Sequence, residues 1–215
     1  PEDIKEFFEE NLKTGKDLLY ICFSSALSGH CELAQMAKNE ALLDFPDARI
    51  EIVDTLGISL GAGLLVYHAQ KLKDEGKTLD EIKDWLEQNK LRAIHLFSVD
   101  DLMYLKRTGR LSAVTAALGT LLNLKPILKC DKNGKIIAYD KVKGTKKIQS
   151  YYLNAIEKNY DENDPVCTEV MGIVHANNLE AAEAFKEQVE ERFKFKKIIL
   201  QDVGPVIGAH TGPGV

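Results

Sequence analysis

The hydrophobic positions of this chain follow two spacings in turn, which predict alternating helices and strands. Apolar residues recur every three or four positions over four segments, predicting helices at 2–14, 29–43, 58–74 and 79–88. Two short segments lie between these helices and predict strands: a buried apolar run over 17–23, and residues 49–54, in which Ile50, Ile52 and Val53 are apolar. Strands separated by helices of this length are typical of an α/β unit with a parallel sheet. We therefore predict that the chain opens with a parallel α/β/α lobe.

The pattern changes after about residue 123. Ahead of that point a strand is predicted over 91–98, then a short helix over 99–106 and an apolar helix over 113–121. Beyond it, two apolar runs flank Asn133-Gly134, a dipeptide typical of tight hairpin turns. The remaining pattern predicts helix, strand, helix and strand, over 145–159, 168–175, 178–193 and 196–208. These elements indicate a second, α+β lobe with a mixed sheet.

The boundary between the two lobes is predicted between residues 88 and 123, which divides the chain into domains 1–90 and 91–215. The opening residues Pro1-Glu2-Asp3 suit the first turn of a helix, because proline fits its first position and acids fit the positive end of its dipole. The side chain that should cap this helix is absent. We expect further chain to precede Pro1, including the first strands of the lobe.

Composition narrows the class of protein. Of the 215 residues 45% are hydrophobic and 28% charged, as in ordinary globular domains. The net charge of -5 argues against a general nucleic-acid binder, which carries a basic face. The scattered cysteines form no C-x-x-C pair, so they give neither a zinc knuckle nor a disulfide framework and suit a reducing cytosol. With no signal peptide and no apolar run of about 18 residues, we expect a cytoplasmic protein.

A serine-rich turn is the first candidate binding site. The segment Ser24-Ser25-Ala26-Leu27-Ser28-Gly29 lies where a buried strand gives way to a helix. A helix N-terminus offers unpaired N–H groups and a positive dipole end, which together favour an anion. Ser25, Ser28 and Gly29 are therefore candidate anion ligands. The alternative is that Ser28 or Ser25 only caps the helix.

His210 is the second candidate. It lies in the closing run Ala209–Gly214, which predicts a turn stiffened by Gly-Pro-Gly, and an imidazole can donate to a carboxylate at neutral pH. The alternative is an ordinary loop histidine. Arg110, beside Gly109, could hold an anion or a partner, and a structural salt bridge is its alternative.

Two other function classes have weaker support. The segment Asp54–Gly63 follows a strand and opens a helix, but it has the spacing of neither known phosphate loop. Glycines that let a helix lie close to the sheet are the better explanation of this segment. A serine hydrolase acting on a small ester or lipid would use Ser28, His210 and an acid such as Asp54, although the chain has no G-x-S-x-G elbow.

Residues 125–147 carry eight lysines and only two acids. In a chain of negative net charge, this local excess could contact an acidic protein or, transiently, an anionic membrane surface. A solvated hairpin face is the alternative.

The order of five motifs resembles the DegV family of bacterial fatty-acid-binding proteins nearly from end to end. The motifs are Ser24–Gly29 after a strand, Val53-Asp54-Thr55, Val99–Ser112, Leu122–Leu128 and His210–Gly214. The resemblance implies a two-lobed DegV-like fold that holds one long-chain fatty acid in a buried tunnel. It also implies a carrier rather than an enzyme, with no cofactor besides the bound acid, and a separate ATP-dependent fatty acid kinase that phosphorylates the presented acyl group.

By motif match, Ser28 would bind the fatty acid carboxylate and His210 would belong to the same hydrogen-bond network. The family also uses a threonine in a T-S-Q-P-like segment, which the sequence lacks. Burying a C16 chain contributes on the order of 10 kcal/mol before costs, and the buried carboxylate needs hydrogen-bond donors. The apolar helices around 58–66 and 113–122 are candidate tunnel walls.

Overall fold

A computed structural model describes residues 2–111, 124–144 and 146–214. The chain divides into two compact units. The first comprises the residues up to Ala93 together with Lys132–Lys135, and the second comprises Ile94–Asp131 and the residues from Ile136 onward. The apolar helix predicted over 113–121, one candidate tunnel wall, lies outside the described residues.

The first unit is a parallel strand pair covered by helices. Its strands are β1 (Leu18–Cys22) and β2 (Ile50–Asp54). Its helices are α1 (Glu2–Leu12), α2 (His30–Asp44), α3 (Ser59–Asp74) and α4 (Leu79–Asn89). Residue 18 pairs with residue 50 and Cys22 with Asp54, so both strands end at the same level. This order confirms the predicted α/β pattern.

Side chains of the two strands alternate between two hydrophobic clusters. Leu18, Tyr20 and Cys22 pack with α1 and α2 around Phe8. Leu19 and Ile21 pack with α3 and α4 around Leu86. Since successive strand residues point to opposite faces, the sheet has helices on both of its faces. That arrangement explains why β1 is a continuous apolar run in the sequence.

The second unit contains antiparallel and parallel pairing in separate sheets. The antiparallel sheet consists of β3 (Leu96–Phe97), β4 (Leu124–Cys130) and β5 (Ile136–Lys143), and the parallel pair consists of β6 (Val170–His175) and β7 (Lys197–Asp202). The helices are α5 (Met103–Arg107), α6 (Lys146–Asn159), α7 (Leu179–Arg192) and α8 (Pro205–Thr211). Its largest cluster packs α6 and α7 against β6, around Phe185 and Val189.

Two sequence predictions of strands are wrong in extent. The strand predicted over 91–98 is limited to Leu96–Phe97, and Lys90–Arg92 forms a 3₁₀ turn before it. Leu91 and Ile94 are 56% and 58% exposed, so their apolar side chains face no core. The strand predicted over 196–208 ends at Asp202.

A helix begins where the last strand was predicted to continue. Gly204 is the N-cap residue of α8 and Pro205 occupies its first turn. Proline has no N–H to donate to a strand neighbour, and its fixed φ suits a helix start. As a consequence His210 lies in the last turn of a helix, and its predicted position in a stiffened turn is wrong.

Candidate functional site

The candidate site of the first unit lies at the carboxyl ends of β1 and β2. Cys22 and Asp54 are register partners at the ends of these parallel strands. The turns that follow them, over 23–29 and 55–58, therefore leave the same edge of the sheet. Ligands of open α/β sheets typically bind outside this edge.

The turn after β2 is a rigid support. The Oδ1 atom of Asp54 accepts the N–H groups of Leu56 (3.0 Å) and Ser25 (3.2 Å), which ties the two turns together. The buried Thr55 hydroxyl donates to the Cys22 carbonyl (2.7 Å) and accepts from the N–H of Gly57 (3.1 Å). These bonds hold Leu56 at a φ of 51°, a conformation that costs a non-glycine residue of order 1–2 kcal/mol. Asp54 thus serves the backbone of the turns.

Ser24 fixes the hairpin tip that belongs to the same unit. Its side chain is fully buried. Its hydroxyl donates to the carbonyl of Gly134 (2.8 Å), and its N–H donates to the carbonyl of Gly57 (3.0 Å). Gly134 has a φ of 76°, a left-handed conformation that glycine adopts without strain. This serine therefore has a structural role.

The side chain of Ser28 differs from that of Ser24, because its hydroxyl accepts a hydrogen bond and still has its own proton to donate. It is half-buried, and its Oγ accepts the N–H of His30 (3.3 Å) in the first turn of α2. Among the described residues, the proton of this hydroxyl meets no acceptor. Ser28 can therefore satisfy one N–H of the helix terminus and still donate to a bound anion.

Ser25 and Gly29 complete the turn. Both are exposed, Ser25 uses its N–H on Asp54, and Gly29 is the N-cap residue of α2. No side chain occupies the capping position, so the alternative that Ser25 caps the helix is wrong. The three predicted ligands Ser25, Ser28 and Gly29 thus share one turn at a helix N-terminus, which suits a carboxylate.

An aromatic contact that the sequence pattern did not reveal holds the start of α2. The hydroxyl of Tyr20 and the Nε2 atom of His30 lie 2.6 Å apart. Tyr20 also packs edge-on against Phe8, with ring centroids 5.1 Å apart. Burial raises the pKa of the Tyr20 hydroxyl. The first turn of α2 is therefore anchored beside Ser28.

In the second unit, His210 has an unsatisfied ring nitrogen. Its Nδ1 atom is buried and has no hydrogen-bond partner within the described ranges. The backbone around it is fixed, since Gly212 lies against the ring of Tyr104 and the N–H of Gly214 donates to the carbonyl of Ala176 (2.9 Å). A buried polar atom without a partner costs about 1–3 kcal/mol. Such an atom on a fixed backbone is typical of a position that contacts a ligand.

Three other polar side chains of the second unit form hydrogen bonds or ion pairs, and a fourth has no partner among the described residues. Arg110 is half-buried and its guanidinium donates to the carbonyl of Thr108, which braces the turn at Gly109. His175 and Asp202, paired at the ends of β6 and β7, lie 3.1 Å apart from Nδ1 to Oδ1. The hydroxyl of Ser98, just after β3, is buried without a partner among the residues described. No sequence signal distinguished Ser98.

The structure assigns the predicted site residues to two units. Ser25, Ser28 and Gly29 belong to the first, and Arg110 and His210 belong to the second. Binding of one carboxylate by both Ser28 and His210 stays a prediction. Within the described ranges, no three histidine, cysteine or carboxylate side chains are grouped so that they could hold a metal ion.

The lysine-rich hairpin has internal partners for part of its charge. Lys125 forms an ion pair with Asp100 (2.7 Å), and the ammonium of Lys129 lies 3.8 Å from the centre of the Tyr139 ring. Contact with a membrane surface stays a prediction. None of the described helices has the length and apolar character needed to cross a membrane.

Comparison with known sequences gives one family. The family model described as "Uncharacterised protein, DegV family" matches residues 1–215. A DegV domain-containing protein of Clostridium perfringens is 42% identical over 209 residues, which cover 97% of this chain and 71% of that protein.

Two solved structures resemble the fold closely. A fatty-acid-binding DegV family protein from Thermus thermophilus has a TM-score of 0.87 and 32% identity, over 100% of this chain and 74% of that one. A stearic-acid-binding protein from Eubacterium ventriosum has a TM-score of 0.85 and 25% identity, over 99% of this chain and 72% of that one.

Proposed function

The chain belongs to the DegV family, and on this premise we propose that it binds one long-chain fatty acid through the carboxylate. The proposal is supported by fatty acid binding in the two similar solved structures. The observation that carries it is the hydroxyl of Ser28, whose proton has no acceptor in the described part of the chain. His210, with its buried and unpartnered Nδ1, is the proposed second donor.

The energetics of the proposal require both an apolar cavity and polar donors. Each methylene removed from water contributes about 0.8 kcal/mol. A buried carboxylate without hydrogen bonds would cancel much of that gain. Ser28 and the N–H groups at the start of α2 supply donors, and the dipole of the helix adds a favourable field. We propose that the acyl chain occupies a buried tunnel, with the half-buried Leu60 and Leu64 of α3 among its wall residues.

We further propose that the protein is a carrier that presents the carboxylate to a separate ATP-dependent kinase. A carboxylate oxygen would attack the γ-phosphorus of ATP, giving an acyl phosphate and releasing ADP. The segment after β2 supports a partner enzyme, because it lacks the phosphate-loop spacing and its Asp54 is engaged by backbone N–H groups. Hydroxylamine would trap the acyl phosphate only when chain, kinase and ATP are all present. A product formed without the kinase would contradict the carrier role.

Native mass spectrometry of the chain expressed in bacteria tests fatty acid binding. We expect a complex heavier than the chain by one fatty acid, which dissociates on denaturation. Affinity for added saturated acids should rise about fourfold per methylene, from the hydrophobic gain per CH₂, until the cavity is filled. Short acids of the same head group are the matched control. A chain that is purified without ligand and ignores added palmitate and oleate would overturn the proposal.

A further inference from the structure

The residues that follow His210 lie against helix α5 of the same unit. A Cβ atom placed on Gly212 would be 2.7 Å from the Cδ2 and Cε2 atoms of Tyr104 and 3.1 Å from its Cγ. Atoms this close would overlap, so only a glycine lets the backbone approach the ring in this way. Both residues belong to the second unit. The ring of Tyr104 therefore supports the backbone two residues beyond His210.

A second contact holds the same segment further along the chain. A Cβ atom on Gly214 would collide with the carboxylate of Asp100, and the N–H of Gly214 donates to the carbonyl of Ala176 (2.9 Å). Asp100 is itself held by its ion pair with Lys125 (2.7 Å). The segment is thus fixed at Gly214 as well as at Gly212.

The last turn of α8 connects Gly212 to His210. The N–H of Gly212 donates to the carbonyl of Gly208 (2.9 Å), which closes the helical turn that contains His210. The helix has only seven residues, and helices shorter than about 12 residues have little stability of their own. Contacts with other elements must therefore fix its end. The contact between Gly212 and the ring of Tyr104 is such a contact.

We propose that Tyr104 is a positioning residue for the fatty acid site, because its ring holds the end of α8 and thereby aims the Nδ1 atom of His210 at the carboxylate. This inference rests on the proposed function, in which His210 is a donor. The Nδ1 atom has no hydrogen-bond partner within the described ranges, so no such bond orients the ring from this side. The placement of the backbone must do so instead. A donor that is fixed before the ligand arrives loses less conformational entropy on binding.

The environment of Tyr104 fits this role better than that of a core residue. Leu105, the next residue of α5, is 1% exposed and anchors the helix in the core, whereas Tyr104 is 38% exposed. The start of α5 is also held, since the N–H of Met103 donates to the Oδ1 atom of Asp101 (2.8 Å). Tyr104 thus projects from a fixed helix. The atoms nearest to Gly212 are ring carbons, so the ring rather than the hydroxyl makes the contact.

Palmitate titration of Tyr104 variants tests the proposal. Tyr104→Ala should weaken affinity about fivefold, less than the roughly tenfold expected for removal of His210 itself. Tyr104→Phe keeps the ring and should bind within about twofold of the unsubstituted chain. Met103→Ala, an exposed neighbour on α5, is the matched control and should also bind within about twofold. An unchanged affinity in Tyr104→Ala, or an equal loss in Tyr104→Phe, would overturn the proposal.

A double-mutant cycle separates positioning from a general effect on stability. In the His210→Ala background, Tyr104→Ala should weaken palmitate affinity by less than about twofold, because the histidine that it positions is gone. Losses that multiply in the double variant would show that Tyr104 acts independently of His210, which overturns the proposal. If circular dichroism shows that Tyr104→Ala does not fold, Tyr104→Leu, which lacks the flat ring, takes its place with the same expectation.

NMR of the chain with isotope-labelled histidine, recorded without fatty acid, tests the orientation of His210 directly. The imidazole signals of His210, assigned by their loss in His210→Ala, should broaden in Tyr104→Ala and stay sharp in Tyr104→Phe and Met103→Ala. Signals that stay sharp in Tyr104→Ala would overturn the positioning role. If the unsubstituted chain does not bind palmitate, the proposed function fails, while these signals still decide whether Tyr104 holds His210.

Discussion

Replacing Gly134 by alanine should destabilise the folded protein by about 3 kcal/mol, the sum of a strained backbone and a lost buried contact. Gly134 has a φ of 76°, and a Cβ atom there would lie 2.2 Å from the Oγ of Ser24 and 3.1 Å from the Cα of Leu56. Ser24 cannot move aside freely, because its hydroxyl donates to the carbonyl of Gly134 itself. The Leu56 atom in the way is a backbone Cα, which cannot rotate aside as the end of a flexible side chain could. The clash must therefore be relieved by separating the hairpin tip from the turn.

Gly144→Ala is the matched control for this substitution. Gly144 has a φ of 79°, but a Cβ atom there would meet no atom of the described residues within 4 Å. Only the conformational cost of about 1 kcal/mol should remain. Urea unfolding followed by circular dichroism measures both variants. Equal destabilisation by the two substitutions would show that the contact between Ser24 and the hairpin tip contributes nothing to stability.

The elements of the first unit could be predicted because each strand has helices on both faces. Alternate residues of β1, such as Leu19 and Tyr20, pack into opposite clusters, so nearly every position is apolar. Such a run is visible in the sequence without knowledge of the fold. The strand and helix order of this unit follows from it directly.

Elements whose apolar residues are exposed were predicted less well. Leu91 and Ile94 resemble strand residues but face solvent, and Val206 is 73% exposed in α8. Pro205 is a residue type that suits a helix start. It lies among the apolar residues Val203, Val206 and Ile207, which by their hydrophobicity alone favour a strand. Hydrophobic pattern alone does not distinguish an exposed apolar residue from a buried one.

The sequence predicts which serines lie on the candidate turn but not which of them are committed to structural contacts. Ser24, Ser25 and Ser28 are equivalent in sequence, and only the fold shows that Ser24 is committed to Gly134, a residue 110 positions away. Contacts between distant segments have no local signature, so this part of the site requires a structure.

Removing both proposed donors, by Ser28→Ala and His210→Ala together, should weaken fatty acid affinity by about fortyfold, less than the roughly hundredfold that two independent tenfold losses would give. Each single substitution should cost about tenfold, because a hydrogen bond to a charged group contributes about 1.5–3 kcal/mol. His210→Ala should lower fatty acid affinity and leave the free energy of unfolding nearly unchanged. The Nδ1 atom has no partner among the described residues, so its removal leaves no other polar group without a hydrogen bond. Ser150→Ala, on the exposed surface of α6, is the control and should bind normally.

The double-mutant cycle, measured by palmitate titration, decides whether the two residues act on one carboxylate. Donors that share a single anion are coupled, because loss of one lets the carboxylate shift and changes what the other contributes. We therefore expect the double variant to depart from the sum of the single variants by at least about 0.5 kcal/mol. Ser28 and His210 belong to different compact units. Strict additivity would contradict the binding of one carboxylate by both residues. An unchanged affinity in either single variant would remove that residue from the site.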